Sequence, residues 1–201
     1  GWLKWLDQGP SASFVNKLRV AAQRVGGFPI FMRTDQVSAK FSWRDTCFVD
    51  SEGRLAQNVR NLLDENMMVD MAGEVFPSAI IIREFLHLKR FFVLKHHHGM
   101  PVAREFRFFA KQGVIRCAHP YWPKSEMIVG EPDTPQWESK LVELNDGSHI
   151  TAHVKSLVQT VSEQFEEAIS VDVCQTETGT WFVTDLACAG QSLHLKNHMQ
   201  V

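Results

Sequence analysis

Ser170–His194, SVDVCQTETGTWFVTDLACAGQSLH, reads as two strands joined by a tight turn. Apolar and β-branched residues alternate with others on both sides of Glu177-Thr178-Gly179-Thr180. Taking Thr178-Gly179 as a two-residue hairpin loop sets Glu177 opposite Thr180. Counting outward then places Asp172 directly opposite Asp185. Two carboxylates in that position repel each other, so a sheet keeps them only with a cation between them. Oxygen ligands without His or Cys suit Mg²⁺ or Mn²⁺ rather than zinc. Mg²⁺ held by one or two carboxylates completes its shell with substrate phosphates. The stretch therefore points to a Mg-nucleotide site. The alternatives are an aspartate turned to solvent, or a three-residue loop or a bulge that shifts the register and separates the pair.

The rest of the chain sets the bounds. It has 201 residues, 44% of them apolar and 22% charged, the composition of an ordinary globular protein. That length holds one large domain or two small lobes with a sizeable core. The net charge of −2, from 21 basic and 23 acidic residues, gives no basic field and argues against nucleic acid as a partner. Cys47, Cys117, Cys174 and Cys188 are far apart and form no CxxC pair, which argues against zinc and a disulfide framework. Reduced thiols fit a cytoplasmic protein. No apolar run approaches a membrane span and no signal peptide is visible, while Gly1 in place of Met suggests a trimmed or tagged chain, from which native residues before Gly1 could be missing.

Working toward the N-terminus and back, Gly1–Pro10 carries Trp2 and Trp5 and ends in a Gly-Pro turn signal. Ser11 or Ser13 can cap an amphipathic helix with Phe14, Leu18, Ala21, Ala22 and Val25 on one face, stopped by Gly26-Gly27. Phe28–Arg33 reads as a buried strand entering a polar loop, Thr34–Trp43. Arg33, Lys40 and the loop's backbone N–H groups could cradle phosphate, although no Walker A pattern is present and a solvated loop is the blander alternative. A second helix is expected over about Arg54–Val69, with Leu55, Val59, Leu62, Leu63 and Met67 on its buried face. Ala79–Leu94 begins as a buried strand and runs into Arg83-Glu84-Phe85-Leu86.

His96–His98 reads as a polar loop between strands, since neighbours on one strand point to opposite faces. Pro101–Ala118 reads as a hairpin turning at Lys111-Gln112-Gly113, with Glu105 and Arg107 on one face. That face is either exposed sheet or the wall of an anion-holding cleft. His119–Gly147, rich in proline and tryptophan, reads as a lid or substrate loop whose Trp122 and Trp137 could meet a peptide. A long helix then carries Ile150, Val154, Leu157, Val158, Val161, Phe165 and Ile169 on one stripe. There is no internal repeat, no GxSxG motif and no defensible Ser/His/Asp order.

In order, these pieces resemble the ATP-grasp superfamily, an α+β fold in which two lobes with mostly antiparallel sheets clamp ATP. The likeness runs from about Phe28 to His194. The small prokaryotic and phage members look most similar, through Arg33-Thr34-Asp35-Gln36-Val37-Ser38-Ala39-Lys40, Ile82-Arg83-Glu84-Phe85, and Asp185-Leu186-Ala187 with Gln191-Ser192-Leu193-His194. The eukaryotic ATP-grasp chaperone of a translation initiation factor also looks similar. The resemblance implies an N-terminal part over residues 1–78 and a C-terminal lobe over 79–201. It implies that Arg33 and Lys40 contact phosphates and that Arg83, Glu84, Phe85 and Leu86 hold adenine and ribose. Glu105 and Arg107 would face the phosphate end, with Arg107 and Lys40 in catalytic roles, and Asp172 and Asp185 would hold Mg²⁺. Ala187 departs from the pattern, since many members have an Asn there; this puts a second metal and full ligase activity in doubt.

The activity so implied is an ATP-dependent carboxylate–amine (or thiol) ligase. It would work through an acyl phosphate on an unknown small molecule, peptide or protein, releasing ADP and phosphate. The alternative is an MgATP-binding assembly factor without turnover. A nucleotidyl or RNA ligase-like enzyme ranks last, because the lysine it needs has only Lys40 in a poor context.

Overall fold

The computed structural model describes residues 9–70 and 77–194, so the expectations attached to Trp2 and Trp5 lie outside the described residues. The chain divides into two compact units, Gly1–Leu86 with Lys95–Met100, and His87–Leu94 with Pro101–Val201. Among the described residues no helix is long and apolar enough to cross a membrane.

The first unit opens with α1 (Ala12–Arg24), whose Ser11 side chain accepts from the Phe14 N–H. Gly26 and Gly27 end it at positive φ. Strand β1 (Ile30–Thr34) lies between β2 (Phe48–Val49) and β3 (Ile80–Glu84), antiparallel to both. Helix α2 (Leu55–Asp70) follows a short 3₁₀ turn. Ile30 and Met32, alternate residues of β1, pack against Leu18 and Ala22 of α1 and against Leu55, Val59 and Leu62 of α2. Each such buried side chain contributes about 1.5–3 kcal/mol. The expected sheet-core character of Ile80–Ile82 holds for Ile80 and Ile82, which pack on this core, but not for Ile81, which is exposed on the outer strand β3 because the helices cover only one face.

The second unit begins with β4 (Arg90–Leu94) and β5 (Met100–Ala103), which form a two-stranded sheet joined by the histidine turn. Then come β6 (Glu105–Lys111), β7 (Val114–Pro120), α3 (Lys124–Gly130), α4 (Trp137–Leu144), α5 (Ala152–Ser162), β8 (Ile169–Gln175) and β9 (Trp181–Cys188). Strands β7-β6-β8-β9 make one antiparallel sheet in that order. Phe106, Phe108, Val171, Val173 and Trp181 pack on Val154 and Val158 of α5. The sheet's other face is therefore left for polar chemistry.

Three expectations change here. Pro101–Ala118 is not one hairpin: Met100–Ala103 pairs with β4, and the turn at Gln112-Gly113 joins only β6 to β7. The expected lid loop contains α3 and α4, and Trp122 is buried rather than offered to a peptide. Proline before a helix is compatible with its start, since the first-turn N–H groups have no intrahelical partner. The long helix is shorter than its apolar stripe. It starts after Thr151, whose hydroxyl accepts from Val154 N–H, and ends at Ser162, so Phe165 lies beyond it and Ile169 opens β8.

Candidate functional site

The β8–β9 hairpin does place Asp172 opposite Asp185, but by a different route. Its loop has three residues, Glu177, Thr178 and Gly179, closed by Thr176 N–H to Thr180 O at 2.8 Å. Gly179 sits at φ +87°, where glycine is free of the Cβ penalty. Gln175 thus faces Trp181 and Val173 faces Val183. Thr184 then bulges out of register and restores the Asp172–Asp185 pairing. Its Oγ1 lies 3.1 Å from Cys174 Sγ.

The cation demanded by the opposed carboxylates comes from the sheet itself. Arg107 on β6 pairs directly with Asp172 on β8 and with His119 on β7. Its Nε donates to Asp172 Oδ1 at 2.7 Å and its Nη2 to Oδ2 at 2.8 Å. The two side chains are 15% and 6% exposed. The Tyr121 ring lies 4.9 Å from the guanidinium carbon. Burial works against the Arg107 charge, yet the hydrogen bonds and charge of Asp172, with smaller help from Tyr121 and Asp185, raise its pKa overall. The pairing thus corrects the premise that the aspartates need a metal to coexist: a guanidinium on the next strand already compensates Asp172.

Asp172 keeps some capacity for a metal, because a carboxylate has about four lone-pair sites and Arg107 uses two. Among the described residues no group of three or more His, Cys, Asp or Glu could hold a metal ion. A Mg²⁺ ion held by these two aspartates would have to take the rest of its shell from solvent or phosphate. Glu105 is two residues from Arg107 on the same face and is buried. Further along that face, Ser170 Oγ lies 2.6 Å from Ser192 Oγ. His194 lies edge-on to Phe109, 4.4 Å between centroids.

Arg33, Lys40, Arg83, Glu84, Phe85 and Leu86 belong to the first unit, and Glu105, Arg107, Asp172 and Asp185 to the second. In the first unit, Arg83 pairs with Phe31, two residues from Arg33. Phe85 packs on Phe48 at 4.9 Å and near Trp43 at 6.4 Å, and Trp43 stacks on Phe48. Arg33 Nε donates to Thr34 O at 3.0 Å. Lys40 opens a 3₁₀ turn after Ala39, which has φ +48°. In the loop expected to cradle phosphate, two backbone N–H groups are already engaged. The Gln36 and Val37 N–H groups already donate to Thr34 Oγ1, at 3.1 and 2.8 Å.

His119 and Tyr121 are neighbours of Arg107 that strand counting misses. A bulge between the Phe109 and Ala110 pairings shifts β7 by one residue. Counting straight from the turn puts Ala118 beside Arg107 instead.

A helix-backed antiparallel sheet with a polar face, together with the smaller α+β unit before it, is the architecture of an ATP-grasp domain. The chain belongs to an ATP-grasp domain family, family 3 of the R-2-K clade, whose model matches residues 24–200. No protein of curated function matches it. Among solved structures it is similar to D-alanyl-alanine synthetase A from Vibrio cholerae, with 12% identity and a TM-score of 0.47 over 93% of this chain and 52% of that one. It is also similar to the biotin carboxylase domain of Hydrogenobacter thermophilus 2-oxoglutarate carboxylase, with 11% identity and a TM-score of 0.45 over 86% and 33%. N5-carboxyaminoimidazole ribonucleotide synthetase from Thermotoga maritima matches with 11% identity and a TM-score of 0.36 over 85% and 34%. The chain thus spans 33% to 52% of the length of these structures.

Proposed function

We propose that this chain binds MgATP and forms a C–N bond between a carboxylate and an amine through an acyl phosphate. The observation that carries this is the Asp172–Asp185 pair with Arg107 bidentate on Asp172, an anion and cation arrangement on the polar face of the β6–β9 sheet. Asp172 and Asp185 would hold Mg²⁺, which when bound supplies positive charge at the phosphates. Arg107, Arg33 and Lys40 neutralise phosphate charge, and Arg83, Glu84, Phe85, Leu86 and Glu105 bind the nucleotide. In the first step a carboxylate oxygen attacks the γ-phosphorus. The bond to the β,γ-bridging oxygen breaks and ADP leaves with its electron pair. In the second step a neutral amine attacks the acyl carbon, the bond to the phosphate oxygen breaks, and the nitrogen's proton goes to solvent. No side-chain nucleophile is needed; the chain positions reactants and neutralises charge. A cytoplasmic location belongs to the same reading, in keeping with four cysteines that lie far apart in the sequence and form no CxxC pair.

A second reading, MgATP binding without turnover in an assembly factor, is favoured by one observation. Ala187 pairs with Ser170 on the strand that carries Asp185, so a methyl group stands where many ATP-grasp proteins have an Asn. Calorimetric titration with ATP, with and without Mg²⁺, on the chain and on Asp185→Ala tests the shared premise. Binding that needs Mg²⁺ and vanishes in the variant is expected; no binding to the unmodified chain refutes both readings. Screening carboxylate and amine pairs for ADP release then separates them. Conversion of ATP only to AMP would sink the ligase chemistry.

A further inference from the structure

The proposed ligation needs no side-chain nucleophile, yet the polar face of the β6–β9 sheet carries a thiol with a base beside it. Cys117 on β7 pairs with Phe109 on β6, Phe109 with Ser170 on β8, and Ser170 with Ala187 on β9. This row runs beside that of His119, Arg107, Asp172 and Asp185, two residues away on every strand, or about 7 Å. After β9 the chain folds back over the Cys117 row. The Ser192 hydroxyl lies 2.6 Å from that of Ser170, and the His194 ring stands edge-on to Phe109. These contacts hold His194 Nε2 3.2 Å from Cys117 Sγ. The same ring is 6.0 Å from that of His119, the neighbour of Arg107. Cys117 is half-buried and burial raises its pKa, so the thiol rests protonated and donates to Nε2. A thiol in that state is activated by a base within hydrogen-bond reach, which takes the proton as the sulfur reacts.

We infer that Cys117 and His194 form a nucleophile–base pair that receives an acyl group as a thioester and passes it to the amine. The sulfur attacks the acyl carbon of the acyl phosphate while its proton moves to His194 Nε2. The bond from that carbon to the phosphate oxygen breaks, and phosphate leaves. The amine then attacks the thioester carbon and the carbon–sulfur bond breaks. The sulfur takes its proton back from His194, and the proton lost by the amine goes to solvent. The acyl phosphate as donor rests on the proposed function, whereas the reactivity of the pair does not.

The test uses the full chain with acetyl phosphate, which presents an acyl phosphate without ATP. Peptide mass spectrometry locates acetyl groups before and after neutral hydroxylamine, which cleaves thioesters and leaves lysine amides intact. A hydroxylamine-labile acetyl group on Cys117 is expected. His194→Phe keeps a ring against Phe109 but removes the base, and should slow that acetylation by roughly 100-fold. Exposed Cys188 is the control in the same sample, and its labelling should not change. Buried Cys174 reports whether the second unit stays folded. Should His194→Phe expose Cys174, His194→Gln, which keeps hydrogen bonding without a base, replaces it. No labile acetyl group on Cys117, or an equal rate in the variant, overturns the inference and leaves the Cys117–His194 contact as packing. Calorimetry with MgATP on the same chain keeps the two ideas apart. Acetylation of Cys117 without MgATP binding refutes only the nucleotide proposal, and MgATP binding without acetylation refutes only this one.

Discussion

Replacing Arg107 with Met removes a guanidinium but keeps an unbranched stem against the Tyr121 ring. It leaves Asp172, whose side chain is 6% exposed, facing Asp185 without its bidentate partner. Breaking a buried pair from one side costs about 3–5 kcal/mol. Arg107 retains 15% exposure, so some water screens the residual charge and the lower end applies, about 3 kcal/mol. Asp172→Asn removes the charge but keeps one acceptor oxygen, for about 2 kcal/mol. In the double variant no buried charge is left uncompensated, so its cost should stay near about 3 kcal/mol rather than the sum of about 5. The coupling between the two positions is then about 2 kcal/mol. Urea unfolding at pH 7, followed by far-ultraviolet circular dichroism on all four proteins, measures it. Additivity within about 0.5 kcal/mol would mean that Arg107 and Asp172 act independently, and the electrostatic account of this face would be wrong.

Asp185→Asn should leave stability within about 1 kcal/mol, since Asp185 is more exposed than Asp172, yet weaken MgATP binding by roughly tenfold or more as one anionic ligand is lost. Calorimetry with an unfolding control checks both halves, and unchanged affinity would remove Asp185 from the metal site. Asn58 is fully buried and its Nδ2 reaches the carbonyls of Arg44, Thr46 and Phe48 at 3.0, 3.1 and 3.0 Å. Asn58→Ala strands these acceptors and should cost about 2–3 kcal/mol in urea unfolding; a loss below about 0.5 kcal/mol would show that the loop does not depend on it. Burial pushes the Cys47 thiol up to about 12, while Cys188 is exposed. Since the thiolate is the reactive form, iodoacetamide at pH 8 should label Cys188 in the native chain and Cys47 only after unfolding. Peptide mass spectrometry showing equal labelling rates would contradict the burial.

How much of this is legible in the sequence depends on whether the information is local. The two aspartates can be paired by counting along one hairpin, and counting succeeds because two departures cancel. The three-residue loop shifts the register one way and the Thr184 bulge shifts it back. Neither leaves a pattern that alternation alone would distinguish from a plain two-residue turn. On β7 a single bulge goes uncompensated, so the same counting fails and His119 is missed as the neighbour of Arg107. Helices α3 and α4 have seven and eight residues, too short for a helical period to stand out among the prolines. The amphipathic faces of α1 and α2 span several turns and are readable. The Arg107–Asp172 contact requires β6 to lie beside β8, with the partners 65 positions apart in sequence, and no local signal carries that.

The opposed carboxylates pose one electrostatic problem with two solutions, and their relation bears on the nucleotide proposal. Arg107 binds both Asp172 oxygens and draws off the electron density that a metal would use. If MgATP binds this face, a phosphate oxygen competes for the same guanidinium, and Arg is well suited to the exchange. Its planar fork makes bidentate bonds to carboxylate and phosphate alike. The exchange replaces bonds of one strength with bonds of similar strength while releasing Asp172 to the cation. A lysine at position 107 would keep the charge but lose the fork, with a single point charge for either partner. Arg107 is thus expected to link metal and phosphate binding, so that Arg107→Lys weakens the Mg²⁺ dependence of ATP binding more than it weakens the fold. Paired calorimetric and urea titrations of that variant measure the two effects, and an unchanged Mg²⁺ dependence would refute the link.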